Sequence, residues 1–116
     1  MSRETVNALC ASFAAATHDD ALGPGHDSWK IGGKLFASMG PDSTSVSVKT
    51  DSIDTALMLI DAGAATRARY FHRSWVAVPV TADPAELVHR LNVSYDIVRA
   101  GLTRAVRDSL PQPLTA

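Results

Sequence analysis

Between Trp29 and Ala37 two short apolar runs meet at Gly32-Gly33, with Lys30 before the pair and Lys34 after it. Adjacent glycines in a two-residue loop supply the positive φ that a primed hairpin turn requires, so the chain reverses there and the flanking runs must pair antiparallel. The lysines are then expected at the hairpin tip, where glycine N–H groups and ammonium charge would meet an anion such as a phosphate. A solvated turn carrying solubilising lysines explains the same residues.

The rest of the chain is read outward from that hairpin. Val6, Leu9, Cys10, Phe13 and Ala14 recur at helical spacing behind Ser2, a good N-cap, which predicts a helix over 3–16. His18 to Asp27 is rich in Asp, Gly and Pro and is expected to be a surface loop. Strands follow over about 28–31, 34–39 and 44–49, the last alternating Val46 and Val48 against Ser45, Ser47 and Lys49. Asp51 is available to cap a helix over 52–62 whose stripe is Ile53, Ala56, Leu57 and Ile60. Arg67–His72 reads as a short extended segment, and Trp75–Val80 as a strand that Pro79 places at an edge. Asp83-Pro84-Ala85-Glu86 starts a long last helix carrying Leu87, Leu91, Val98, Leu102 and Val106, and residues 111–116 form a frayed tail. The fold class expected is α+β: a five-stranded antiparallel sheet in the order α-β-β-β-α-β-β-α, with helices on one face and the other face open to solvent.

At 116 residues the chain is expected to form one domain over 1–110, with enough buried surface to fold without staples. No apolar run approaches a membrane span, and no apolar core follows the basic start, so a cytoplasmic protein is expected. The single cysteine, Cys10, lies on the apolar stripe of the first helix and reads as a buried structural thiol. Net charge is −1, but its distribution is uneven: residues 1–29 carry one cation against four acids, and residues 30–80 carry six against four. The cations therefore gather in the middle of the chain.

Signatures of catalysis are missing: there is no Walker loop, dinucleotide glycine fingerprint, HExxH, CxxC pair or nucleophile elbow. His18-Asp19-Asp20 and His26-Asp27 read as loop polarity rather than metal ligands, and no cofactor or metal is expected. His72 has no acid or nucleophile spaced to make it a general base. Arg67-Ala68-Arg69-Tyr70-Phe71-His72-Arg73-Ser74-Trp75 alternates cations with aromatics, a combination that binds nucleic acid by joining phosphate contacts to base stacking. If that segment is extended, Arg67, Arg69 and Phe71 share one face and Tyr70 and His72 the other. The same residues, with Tyr70, His72 and Trp75 as lining, would also suit a small-molecule pocket. Phe71, Trp75 and Trp29 as core residues are the plainer alternative.

Trp-Lys-Ile-Gly-Gly-Lys-Leu-Phe-Ala at 29–37, Ser-Val-Lys at 47–49, Tyr70 to Trp75, and Asn-Val-Ser-Tyr-Asp-Ile-Val at 92–98 resemble, in order and spacing, the MmcQ/YjbR family of small bacterial proteins named as DNA-binding. The resemblance implies a secretion-chaperone-like fold and a double-wing mode of contact in which hairpins and basic strand residues engage a duplex. Lys30, Lys34 and Lys49 match the basic strand positions, and Arg69, His72 and Trp75 the second region. The stretch between the second helix and Trp75 is shorter here than is common in the family, which implies a reduced second wing. The expectation is a non-enzymatic, monomeric DNA-binding protein that contacts phosphates through Lys30, Lys34, Lys49, Arg67, Arg69 and Arg73. The alternative is a protein that binds a small molecule or peptide near Tyr70–Trp75.

Overall fold

In the computed structural model, which describes residues 1–110, the glycine turn joins β2 (Asp27–Ile31) to β3 (Lys34–Met39). Both glycines are left-handed, with φ of +57° at Gly32 and +81° at Gly33. The sheet grows outward from this hairpin: β4 (Ser45–Lys49) pairs with β3, and β6 (Trp75–Pro79) pairs with β4. Two short strands, β1 (Thr17–Asp19) and β5 (Thr66–Arg67), close the edges, giving an antiparallel sheet in the order β1-β2-β3-β4-β6-β5. The tail expected at 111–116 lies outside the described residues.

The α+β class is as expected, but the sheet has six strands rather than five. Thr17–Asp19 falls where a surface loop was expected. It is too short to show alternation, and only its pairing with β2 makes it a strand. The extended segment expected over Arg67–His72 shrinks to Thr66–Arg67, because Tyr70 takes a left-handed φ of +71° that ends the strand. That geometry also removes the alternation of Arg67, Arg69 and Phe71 against Tyr70 and His72. Strand β6 is interior, contrary to the edge position read from Pro79. The proline is tolerated because β5 pairs only with Val76 and Ala77, leaving nothing opposite the proline nitrogen on that side.

Each helix starts at a side-chain cap. Ser2 accepts from Thr5 N at α1 (Arg3–Ala11), and Ser52, not Asp51, accepts from Thr55 N at α2 (Ile53–Asp61). Asp83 accepts from Ala85 N at α3 (Pro84–Ala100), and Thr103 from Val106 N at α4 (Arg104–Ser109). The first helix is shorter than expected because Phe13 leaves its axis to stack on Tyr95, with ring centroids 4.7 Å apart, and to meet Phe36 edge-on at 5.6 Å. The long last helix is two helices. At Gly101 the chain turns, and Thr103 caps a new start after Leu102 has folded inward.

Helices α1, α2 and α3 pack against one face of the sheet, burying Val6, Leu87 and Leu91 among Ile31, Phe36, Val46, Val48, Val76 and Val78. Strand β3 is irregular: Trp29 faces Ala37 while Lys30 faces Leu35, so Phe36 is the extra residue of a β-bulge. Phe36 and Ala37 consequently both serve the helix side. The ladder between β3 and β4 also stops there. Where Phe36 would pair with Lys49, the Ser94 hydroxyl of α3 intervenes, donating to Phe36 O at 2.6 Å and accepting from Lys49 N at 2.9 Å. One residue further along α3, the Tyr95 hydroxyl donates to Ala14 O at 2.6 Å and accepts from the buried Arg99 at 3.1 Å, a structural role.

Candidate functional site

Paired residues of neighbouring strands share a face, so the register identifies what the open side of the sheet presents. One row crosses every strand: Asp19, Ser28, Ser38, Ser47, Ala77 and Thr66. These side chains are small, and the floor they make is low. Over it stand the segment containing Leu22 and His26 on one side and Arg67–Phe71 on the other, enclosing a groove of about 520 Å³. Ser38, Ser47 and Ala77 form the part of the floor that the groove reaches.

The six cations expected to act together do not share one surface. Ile31 pairs with Lys34, so Lys34 belongs to the helix side of the hairpin, whereas Lys30, one residue earlier, lies on the open face. Lys30 is also committed, its Nζ 3.0 Å from Asp19 Oδ2. Asp19 is held below the usual carboxylate range first by the Ala21 N–H and then by Lys30. Lys49 lies opposite Trp75 on the open face, and Arg73 follows one step beyond that ladder, after the Thr50 N to Ser74 O bond of 2.8 Å. Arg67 and Arg69 border the groove, but Arg67 pairs with Val76 of the core, so its side chain belongs to the helix side, as that of Lys34 does. Among the described residues no carboxylate is within ion-pair distance of Lys34, Lys49, Arg67, Arg69 or Arg73.

The glycine turn is not free to meet an anion along its whole length. A Cβ on Gly32 would stand 2.7 Å from Leu102 Cδ1 and 3.1 Å from Val106 Cγ1, so the α3–α4 corner covers that residue. Only Gly33 looks into open space. The sequence signal was available in Leu102 and Val106, whose apolar side chains need cover, but not the place where they find it.

The aromatic residues divide sharply. Trp75 is buried and stacks on Phe71, with centroids 4.8 Å apart and planes 20° from parallel, so it supports the loop from beneath and does not line the groove. Trp29 is core, its Nε1 donating to Asn7 Oδ1 at 2.9 Å. The exposed His72 accepts the Ser74 N–H at Nδ1, 3.1 Å away, and thereby closes the turn into β6. Tyr70 is the exception: it lines the groove, its ring is fully exposed, and its backbone is left-handed.

A second polar cluster lies toward α1. Asp27 accepts from Arg3 Nε at 2.8 Å, Asn7 Nδ2 at 3.0 Å and His18 Nε2 at 2.6 Å. Burial opposes the charge of Asp27, but the hydrogen bonds from Asn7, His18 and Arg3 together outweigh it and bring the carboxyl down to about 2. Beside it the buried Cys10 thiol is pushed up to about 12, first by burial and then by the charge of Asp27. The cluster satisfies itself and ties α1 to the sheet. Sequence reasoning left His18 and Asp27 in a loop; the one available sign was Arg3, the lone cation among the acids of the first 29 residues. No group of three or more His, Cys, Asp or Glu able to hold a metal occurs among the described residues, and none of their helices is long and apolar enough to cross a membrane.

The chain is thus an α+β protein with helices on one side of an antiparallel sheet and a cation-flanked groove on the other. It belongs to the YjbR family, whose model matches residues 11–97. The solved structure of Deinococcus radiodurans protein DR2400, described as containing domain DUF419, superposes with a TM-score of 0.80 at 22% identity, covering 96% of this chain and 90% of that one. That likeness supports the fold. No curated protein matches the sequence.

Proposed function

We propose that this protein binds DNA through the phosphate backbone, without catalysis, using Lys49, Arg69 and Arg73. The observation that carries this reading is that these three cations, without carboxylate partners among the described residues, occur at the end of β4 and along the segment leading into β6. An unpaired guanidinium keeps its full attraction for a phosphate oxygen. Lys30, bound to Asp19, and Lys34 and Arg67, turned to the other side, contribute only to the longer-range field. The contact is to backbone rather than base edges, since among the described residues the row on this face is of short side chains that do not project into a DNA groove. A monomer in the cytoplasm suits this reading, because edge strands of three and two residues offer little template for joining sheets.

Three phosphate contacts give a log–log salt slope of about −3 and a modest affinity. The test is fluorescence anisotropy of a labelled duplex titrated at several salt concentrations. Replacing Lys49, Arg69 and Arg73 together with Ala should reduce the slope by about 3, whereas Lys34→Ala should change it little. A triple variant with the wild-type slope would refute the assignment.

A further inference from the structure

We infer that the groove on the open face of the sheet is a binding site for a small, flat organic anion, overlapping the proposed duplex contact only at Arg69. Its size of about 520 Å³ suits one drug-sized or nucleotide-sized molecule and is far too small for a double helix. Its lining charge has one sign: Arg69 supplies a cation, and among the described residues no Asp or Glu lines it. A ligand with a phosphate, sulfonate or carboxylate is therefore favoured over a cation or a neutral molecule. The remaining surface offers Leu22, Ala68, Phe71 and Ala77, which suit the apolar body of such a molecule.

Two further observations point to a ligand. The Ser28 hydroxyl is buried and has no hydrogen-bond partner. Ser28 is on the open face, directly paired with Ser38 of the groove floor, so an unused donor and acceptor lie one strand outside the lining. Tyr70 holds a left-handed backbone conformation that is costly for an aromatic residue, and its ring gains no packing in return. Standing over a floor of small side chains, that ring provides one wall for a flat molecule lying between it and the sheet. Lys49 and Arg73 are outside the lining, so the groove and the proposed duplex contact can be separated by substitution.

Anilinonaphthalene sulfonate is a suitable probe, because it is flat, anionic and fluoresces on leaving water; phenylnaphthylamine is its uncharged counterpart. The sulfonate should bind with saturation at one equivalent, and the uncharged compound about tenfold more weakly. Ser47→Phe, which fills the floor, and Tyr70→Gly, which removes the ring while suiting the backbone, should each weaken the sulfonate by about tenfold. Arg73→Ala should leave it unchanged while lowering duplex affinity, and Ser47→Phe should do the reverse. Because Tyr70 is fully exposed, its glycine variant keeps a cooperative thermal melt and serves if Ser47→Phe does not fold. Amide shifts on titration should centre on Ser38, Ser47 and Ala77. Absence of saturable binding, equal binding of the two compounds, or sulfonate binding that is indifferent to Tyr70→Gly would each overturn the assignment.

Discussion

Replacing Ser94 with Ala removes one oxygen and should weaken the fold far more than a surface serine does. The hydroxyl sits between two backbone groups that the β-bulge has separated, Phe36 O at 2.6 Å and Lys49 N at 2.9 Å. Ser94 is fully buried, so water cannot readily take over either bond. Each backbone group left without a partner costs about 1–3 kcal/mol, and partial closure of the strands would recover some of this, so the loss should be about 2–4 kcal/mol. For a domain of this size that is roughly a 10–20 °C fall in melting temperature. Urea unfolding followed by tryptophan fluorescence measures it, with the slope checked to be unchanged so that the midpoint reports stability alone. Ser47→Ala, on the half-open groove floor of the neighbouring strand, is the control and should cost less than about 0.5 kcal/mol. A Ser94→Ala loss as small as the control's would mean that Phe36 and Lys49 pair directly once the hydroxyl is gone, and the bridging role would be wrong.

Gly32→Ala should cost about 2 kcal/mol or more, combining a left-handed backbone with a Cβ 2.7 Å from Leu102, whereas Gly33→Ala should cost about 1 kcal/mol from the backbone alone. Adding Leu102→Ala should make Gly32→Ala less harmful than it is alone, and additive melts would refute the contact. Asp27, brought down to about 2, stabilises the folded state above the ordinary carboxylate range, and that share is lost as pH falls from about 4 toward 2. Acid titration of stability should therefore lose up to about 2 kcal/mol in that window, and Asp27→Asn should flatten the profile there while lowering stability at neutral pH. Cys10, fully buried with its thiol raised to about 12, should resist an aromatic disulfide reagent in native buffer and react promptly in denaturant. Prompt labelling of the native protein would contradict that placement.

The sequence revealed most where local chemistry decides structure. The glycine turn, the Ser2 and Asp83 caps, and the alternation of Val46 and Val48 each led to the element observed. It revealed least where distant contacts decide. Thr17–Asp19 becomes a strand only through β2, and the first helix stops early because Phe13 has Tyr95 and Phe36 to pack against. Part of the site was legible and was misjudged. A two-residue loop at Gly32-Gly33 pairs Ile31 with Lys34, so Lys30 and Lys34 had to fall on opposite sides of the sheet. The pairing of Lys30 with Asp19 and the cover over Gly32 were not legible, since both depend on segments that meet only after folding.

The extra residue at Phe36 has a practical meaning for anyone altering this sheet. Lys34, Phe36, Ala37 and Met39 belong to the helix side and Leu35 and Ser38 to the groove side, so odd and even positions exchange roles partway along one strand. A substitution library that assumes simple alternation through β3 would place polar residues in the protein interior. Deleting Phe36 itself would restore simple alternation while leaving the glycine loop and its lysine on their present faces, at the cost of a buried ring.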